Sequence, residues 1–221
     1  MAIICKKHNL LFIMRGGTGC SSVGKLLIER VGGEMLPEKN IYKDGRMVFG
    51  RKHNDVRQLL KWGCLTEDDV KRLYIFTTIR NPYDAVASGY ARIVSAWEGT
   101  MPRDANGNII EDASTRATIR KNAESARRMG FDEWVRLRYG RFSRLKSTIK
   151  THVFQKKPVD YLWRANFVMQ FENLENDLNQ VLCRNRIDEV VQISKTNPTQ
   201  GKRPYQEYYS DDSRRMVHQS F

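Results

Sequence analysis

The sequence predicts an α/β fold built around a parallel sheet, and three observations carry that prediction. Leu11 to Met14 form a short apolar run that enters the glycine-rich stretch RGGTGC and leaves through a helix start. Leu73 to Ile79, LYIFTTI, is β-rich and mostly apolar, as a buried central strand should be. That run passes through Asn81-Pro82, a turn, into residues with helical spacing. Strand–turn–helix units with polar loops at the strands' C-terminal ends belong to sheets whose ligand crevice lies at those ends.

The other elements follow in order. The N-terminal stretch MAIICKKHNLLFIM has lysines inside its apolar run and no small-residue cleavage site. It therefore reads as a first strand rather than a signal peptide, and a cytoplasmic protein is expected. A helix follows the glycine turn over roughly Ser22 to Val31. Thr66 before EDDVKRL, with its early acids, marks another helix start. Gly99 to Ser114 is turn-rich and reads as a surface loop. From Thr115 to about Lys150 the chain is helical in tendency and strongly basic, with Arg116, Arg120, Arg127, Arg136, Arg141, Arg144 and Lys150 as the main contributors. Ala165 to Phe171 reads as a further strand, with a helix from about Glu175, and the chain stops at Phe221 inside an expected last helix. No repeat or linker divides the 221 residues, so one domain over 1–221 is expected, with residues 99–150 as an acceptor-side region.

Composition narrows the function. Apolar content of 40% and charged content of 29% are those of a globular protein, and no apolar run approaches the roughly 20 residues that span a bilayer. No membrane partner is expected. Cys5, Cys20, Cys64 and Cys183 lie far apart and in no C-x-x-C pair, which argues for reduced thiols and against a metal site. A net charge of +13 calls for an anionic partner. The basic residues are spread without a nucleic-acid-binding motif, so nucleic acid is disfavoured, and a phosphate-rich cofactor or an acidic acceptor fits as well.

Two loops can be read in the same glycine-rich letters. Gly19 to Lys25 spells G-x-x-x-x-G-K, the core of a nucleotide triphosphatase loop, but Leu26 stands where that loop needs Ser or Thr for magnesium. The second strand also ends in Arg80 rather than in an acid. In the other reading Arg15, Gly16, Gly17, Thr18, Gly19, Cys20, Ser21 and Ser22 form the loop. Glycines let the backbone approach a phosphate, amides at the helix start point at it, hydroxyls add donors, and Arg15 supplies a planar charged fork. Arg80 and Ser88, eight residues apart, offer a second fork and a hydroxyl to one phosphate.

Here the sequence resembles the sulfotransferase family. RNPYDAVASGY looks like its 3′-phosphate motif, R-x-P-x-x-x-x-x-S, and Arg15 to Ser22 resemble its 5′-phosphosulfate loop. FENLENDL, Phe171 to Leu178, is similar to its YEDL or FENL segment. GKRPYQEYYSDD, Gly201 to Asp212, is similar to its C-terminal cofactor loop and adds Lys202 and Arg203. The resemblance implies a three-layer α/β fold with a central parallel sheet, related to nucleotide kinases. It also implies the donor 3′-phosphoadenosine 5′-phosphosulfate (PAPS), no catalytic metal, and transfer of sulfuryl to a hydroxyl or amine.

A general base must take the acceptor's proton. His53, in FGRKHNDVRQLL, lies between the two phosphate motifs and resembles the base-bearing segment of the carbohydrate-type branch. Glu34 and Asp44 compete for the role. Arg15 and His53 are thus the catalytic candidates. The acceptor is not identified, with an acidic or neutral glycan among the candidates. A magnesium-dependent kinase and a basic nucleic-acid-binding module remain the rival readings.

Overall fold

The computed structural model describes residues 2–44, 46–50, 54–95, 113–140, 160–194, 199 and 201–221. The chain divides into two compact units, residues 1–81 with 158–197 and residues 82–157 with 198–221.

The first unit holds a five-stranded sheet. β1 (Ala2–Cys5) and β2 (Leu10–Ile13) form a hairpin closed by a 3-10 turn, Lys6–His8, with Asn9 left-handed at φ 51°. The single first strand expected from the N-terminus is therefore two. The turn reverses the chain at KKHN because Asn tolerates that conformation at little cost. β3 (Glu34–Leu36) pairs with the outer side of β1. β6 (Tyr74–Ile79) runs parallel to β2, and β7 (Phe167–Gln170) parallel to β6. The order is β3-β1-β2-β6-β7, so the centre is parallel as expected and β1 alone runs against its neighbours. β4 (Ile41–Lys43) and β5 (Arg46–Phe49) make a separate two-stranded hairpin, with Asp44 at φ 50° in its turn.

Side-chain alternation along the strands builds the layers. Ile3, Leu10, Phe12, Met14, Phe76 and Met169 pack on one face against α1 (Cys20–Val31) and α6 (Leu174–Arg184). Leu11, Ile13 and Ile75 face the other way, toward α2 (Val56–Lys61) and α3 (Glu67–Arg72). Helix, sheet and helix are the three layers expected. Gly24 sets the closeness of α1, since a Cβ there would lie 2.7 Å from Ile3 Cδ1 and 3.1 Å from Met14 Cε.

The second unit is helical. Pro82 opens α4 (Pro82–Val94), a first-turn position where a missing N–H is tolerated. α5 (Ala113–Tyr139) breaks at Gly130, whose φ of 74° no helix allows. α7 (Asp211–His218), capped by the Ser210 side chain on Ser213 N, ends before Phe221. Tyr90, Phe131, Trp134, Tyr208 and Tyr209 form its aromatic core, and the Tyr209 hydroxyl donates to the Tyr83 carbonyl at 2.8 Å. Most of the basic helical stretch is thus α5. Residues 96–112, which include most of the expected loop, and 141–159 lie outside the described residues.

Candidate active site

The glycine turn is shaped by what each residue does with its backbone. After Ile13 the chain leaves β2, and residues 16–19 turn it into α1. Gly17 and Gly19 take positive φ, 79° and 71°, and the Gly19 carbonyl accepts the N–H groups of Ser22 and Val23 at 3.0 and 3.3 Å. Thr18 turns inward. Its hydroxyl donates to the Arg15 carbonyl at 2.7 Å and the residue is 3% exposed, so it braces the turn. Cys20 is also buried, and burial pushes its thiol pKa up. Ser22 donates to the Ser194 carbonyl at 3.3 Å, while Ser21, in the first turn of α1, is exposed. Gly16, Gly17 and Ser21 therefore face solvent, with Arg15 half-buried beside them. The first N–H groups of a helix lack intrahelical partners and carry its positive dipole end, so this surface suits an anion.

Parallel pairing brings the second motif alongside. Ile13 is level with Thr77, whose hydroxyl donates to the Ile13 carbonyl at 2.8 Å, so the C-terminal ends of β2 and β6 lie side by side, with β6 continuing to Ile79. Arg80, just past β6, donates from Nη1 to the Gly17 carbonyl at 2.9 Å. Its guanidinium lies 4.2 Å from the centre of the Phe171 ring. Glu172 accepts the Asn81 N–H at 2.9 Å, and a Cβ on Gly19 would lie 2.6 Å from Leu174 Cδ2. Three parallel strands thus deliver the glycine turn, Arg80 and the FENL segment to one crevice. The sequence marked Phe171 and its neighbours only as a family segment, and nothing local in it signals the contact with Arg80.

Lys25 does not belong to this crevice. It sits midway along α1, largely exposed, 3.8 Å from Glu29 across one helical turn. Gly24 is helix interior packed on the sheet, so the G-x-x-x-x-G-K spelling is not a triphosphate loop. Glu34 is level with Leu11, about 13 Å along the strands from Arg15, and is paired with Lys6 at 2.6 Å. Asp44 is exposed in the β4–β5 turn.

His53 lies outside the described residues. Next to it, Asn54 donates to the Gly50 carbonyl at 2.8 Å. Asp55 caps α2, accepting from Gln58 N at 2.8 Å and from Asp160 N at 3.0 Å. Burial pushes the Tyr161 phenol pKa up, the charge of Arg15 draws it down, and Asp55 raises it. Tyr161 was not among the residues that sequence reasoning singled out.

In the second unit Ser88 is buried on α4, 2% exposed. Lys202 is ion-paired with Asp84 of the RNPYD motif. Arg203 is largely exposed and lies over the Tyr208 ring at 4.9 Å.

A mixed sheet, parallel at its centre, with a glycine turn, a helix N-terminus and an arginine at the C-terminal edge defines an α/β protein whose ligand edge suits an anion. A model of the Sulfotransferase family matches residues 1–221, and the chain belongs to that family. No curated protein and no solved structure matches it. Its activity is therefore sulfuryl transfer.

Proposed function

We propose that the chain transfers the sulfuryl group of PAPS to a hydroxyl, or an amine, of an acceptor, with a carbohydrate as the first class to test. The observation that carries the reading is the Arg80–Gly17 contact, which joins the two phosphate motifs in one crevice. Arg15, the amides of Gly16 to Ser22 and the Ser21 hydroxyl hold the 5′-phosphosulfate. Arg80 takes the 3′-phosphate. Ser88, Lys202 and Arg203 are assigned to the same phosphate on the motifs of the sequence. One sulfotransferase domain spanning both units is part of the proposal, and the extent of the family match supports it.

Sulfuryl transfer, like phosphoryl transfer, keeps attacking and leaving oxygens in line while charge builds on the leaving phosphate. Arg15 and the loop amides oppose that charge, and His53 takes the acceptor's proton. The exposed arginines of α5, among them Arg120, Arg128 and Arg136, support an acidic glycan as acceptor. All four cysteines are unpaired, which suits a reducing compartment and supports a cytoplasmic location. No helix among the described residues is long and apolar enough to cross a membrane.

The test is transfer of labelled sulfate from PAPS, without metal, to a panel of glycans, phenols and amines. With an acceptor found, His53→Ala should slow transfer by roughly 10²–10⁴ while leaving adenosine 3′,5′-bisphosphate affinity intact. The rise of the wild-type rate with pH that such a base confers should vanish in that variant. Full turnover by His53→Ala places the base elsewhere.

A further inference from the structure

One short 3-10 turn, Phe171–Asn173, supports both motifs of the proposed donor site. The Phe171 ring carries the Arg80 guanidinium at 4.2 Å, and Glu172 holds the Asn81 N–H at 2.9 Å. On the loop side, the same ring lies 3.3 Å from where a Gly19 Cβ would be, with Leu174 closer still. Arg80 completes the circuit by donating to the Gly17 carbonyl. Asn81 and Glu172 are 91 residues apart in sequence, so this is a tertiary brace across the strand ends.

An arginine on a flexible stem loses much of its freedom when it meets a phosphate, and a guanidinium already held flat loses less. A ring beneath it fixes its plane. We infer that Phe171 is a positioning residue for donor recognition: it sets the plane of Arg80 against the Gly17 carbonyl, so that one arginine links the 3′-phosphate to the loop for the 5′ side. The chain thereby selects nucleotides phosphorylated at both ends of the ribose over those carrying only a 5′ group. This inference rests on the donor reading proposed above.

The experiment compares dissociation constants of adenosine 3′,5′-bisphosphate and adenosine 5′-monophosphate for the wild type, Phe171→Leu and Phe171→Tyr. The wild type should prefer the bisphosphate by about tenfold or more, the worth of a charge-assisted hydrogen bond. Phe171→Leu should cut that preference by about three- to tenfold, the scale of a lost cation–aromatic contact, while monophosphate affinity stays within about twofold. Phe171→Tyr, which keeps the ring, should restore it. Phe171→Met, of similar volume without a ring, carries the comparison if the leucine variant does not fold. A preference unchanged in the ringless variants overturns the inference alone, as does an equal loss for both ligands. A wild type with no preference overturns the donor reading, and the inference with it.

Discussion

Gly17 and Gly19 share a backbone conformation but not an environment, and the difference separates strain from packing. Both have positive φ, which costs an L-residue roughly 1–2 kcal/mol. Around Gly17 a Cβ would meet nothing within 4 Å, whereas at Gly19 it would lie 2.6 Å from Leu174 and 3.3 Å from Phe171. Gly17→Ala should therefore lower stability in urea unfolding by about that strain alone, and Gly19→Ala by more. The same scale separates the two cations that compete for the loop. On the role proposed for it, opposing transition-state charge, Arg15→Ala should reduce turnover on the order of a hundredfold. Lys25→Ala should leave turnover and donor affinity within about twofold, because Lys25 is an exposed helix residue facing Glu29. The reverse ranking in steady-state assays would restore the triphosphate-loop reading.

Helix α3 shows how much one element owes to a local motif. Thr66 Oγ1 accepts from Asp69 N at 3.1 Å, and Asp69 Oδ2 accepts from Thr66 N at 2.9 Å, a complete capping box. Hydrogen bonds from the Thr66 side chain and backbone, then from Arg72, hold the Asp69 carboxyl pKa down at about 2. A depressed pKa contributes stability that is complete above the unfolded value, near 3.8, and is lost as pH falls toward 2. Thr66→Ala should cost about 1 kcal/mol at neutral pH through loss of the cap. It should also weaken the fall in stability between about pH 4 and pH 2, followed by circular dichroism during acid unfolding. This helix was legible in the sequence because Thr66 and Asp69 interact three residues apart. The β1–β2 hairpin was not, because a 3-10 turn at KKHN carries no glycine or proline to mark it. The short β3 and the β4–β5 hairpin escaped for want of a clear apolar alternation.

At the scale of the whole molecule, the centre of the sheet and its ligand edge followed from two strand–turn–helix units, since parallel pairing of β2 and β6 places their C-terminal ends side by side. Arg15 and Arg80 were legible for that reason. Phe171 as a support for Arg80 depends on pairings across most of the chain and leaves no local trace in sequence. Thr18 and Ser22 were legible as loop hydroxyls, but their direction was not, because turn geometry aims both at backbone carbonyls. The resulting crevice is specific in its demand. The proposed function requires of it a nucleotide with a 3′-phosphate, bound without metal. Calorimetric titration with adenosine 3′,5′-bisphosphate, in the presence and absence of magnesium, and with ATP and magnesium, tests that demand most directly. The bisphosphate should bind saturably without metal, unaltered by magnesium, and about tenfold or more tighter than ATP–magnesium. Tight binding of ATP–magnesium with weak or metal-dependent binding of the bisphosphate would contradict the account.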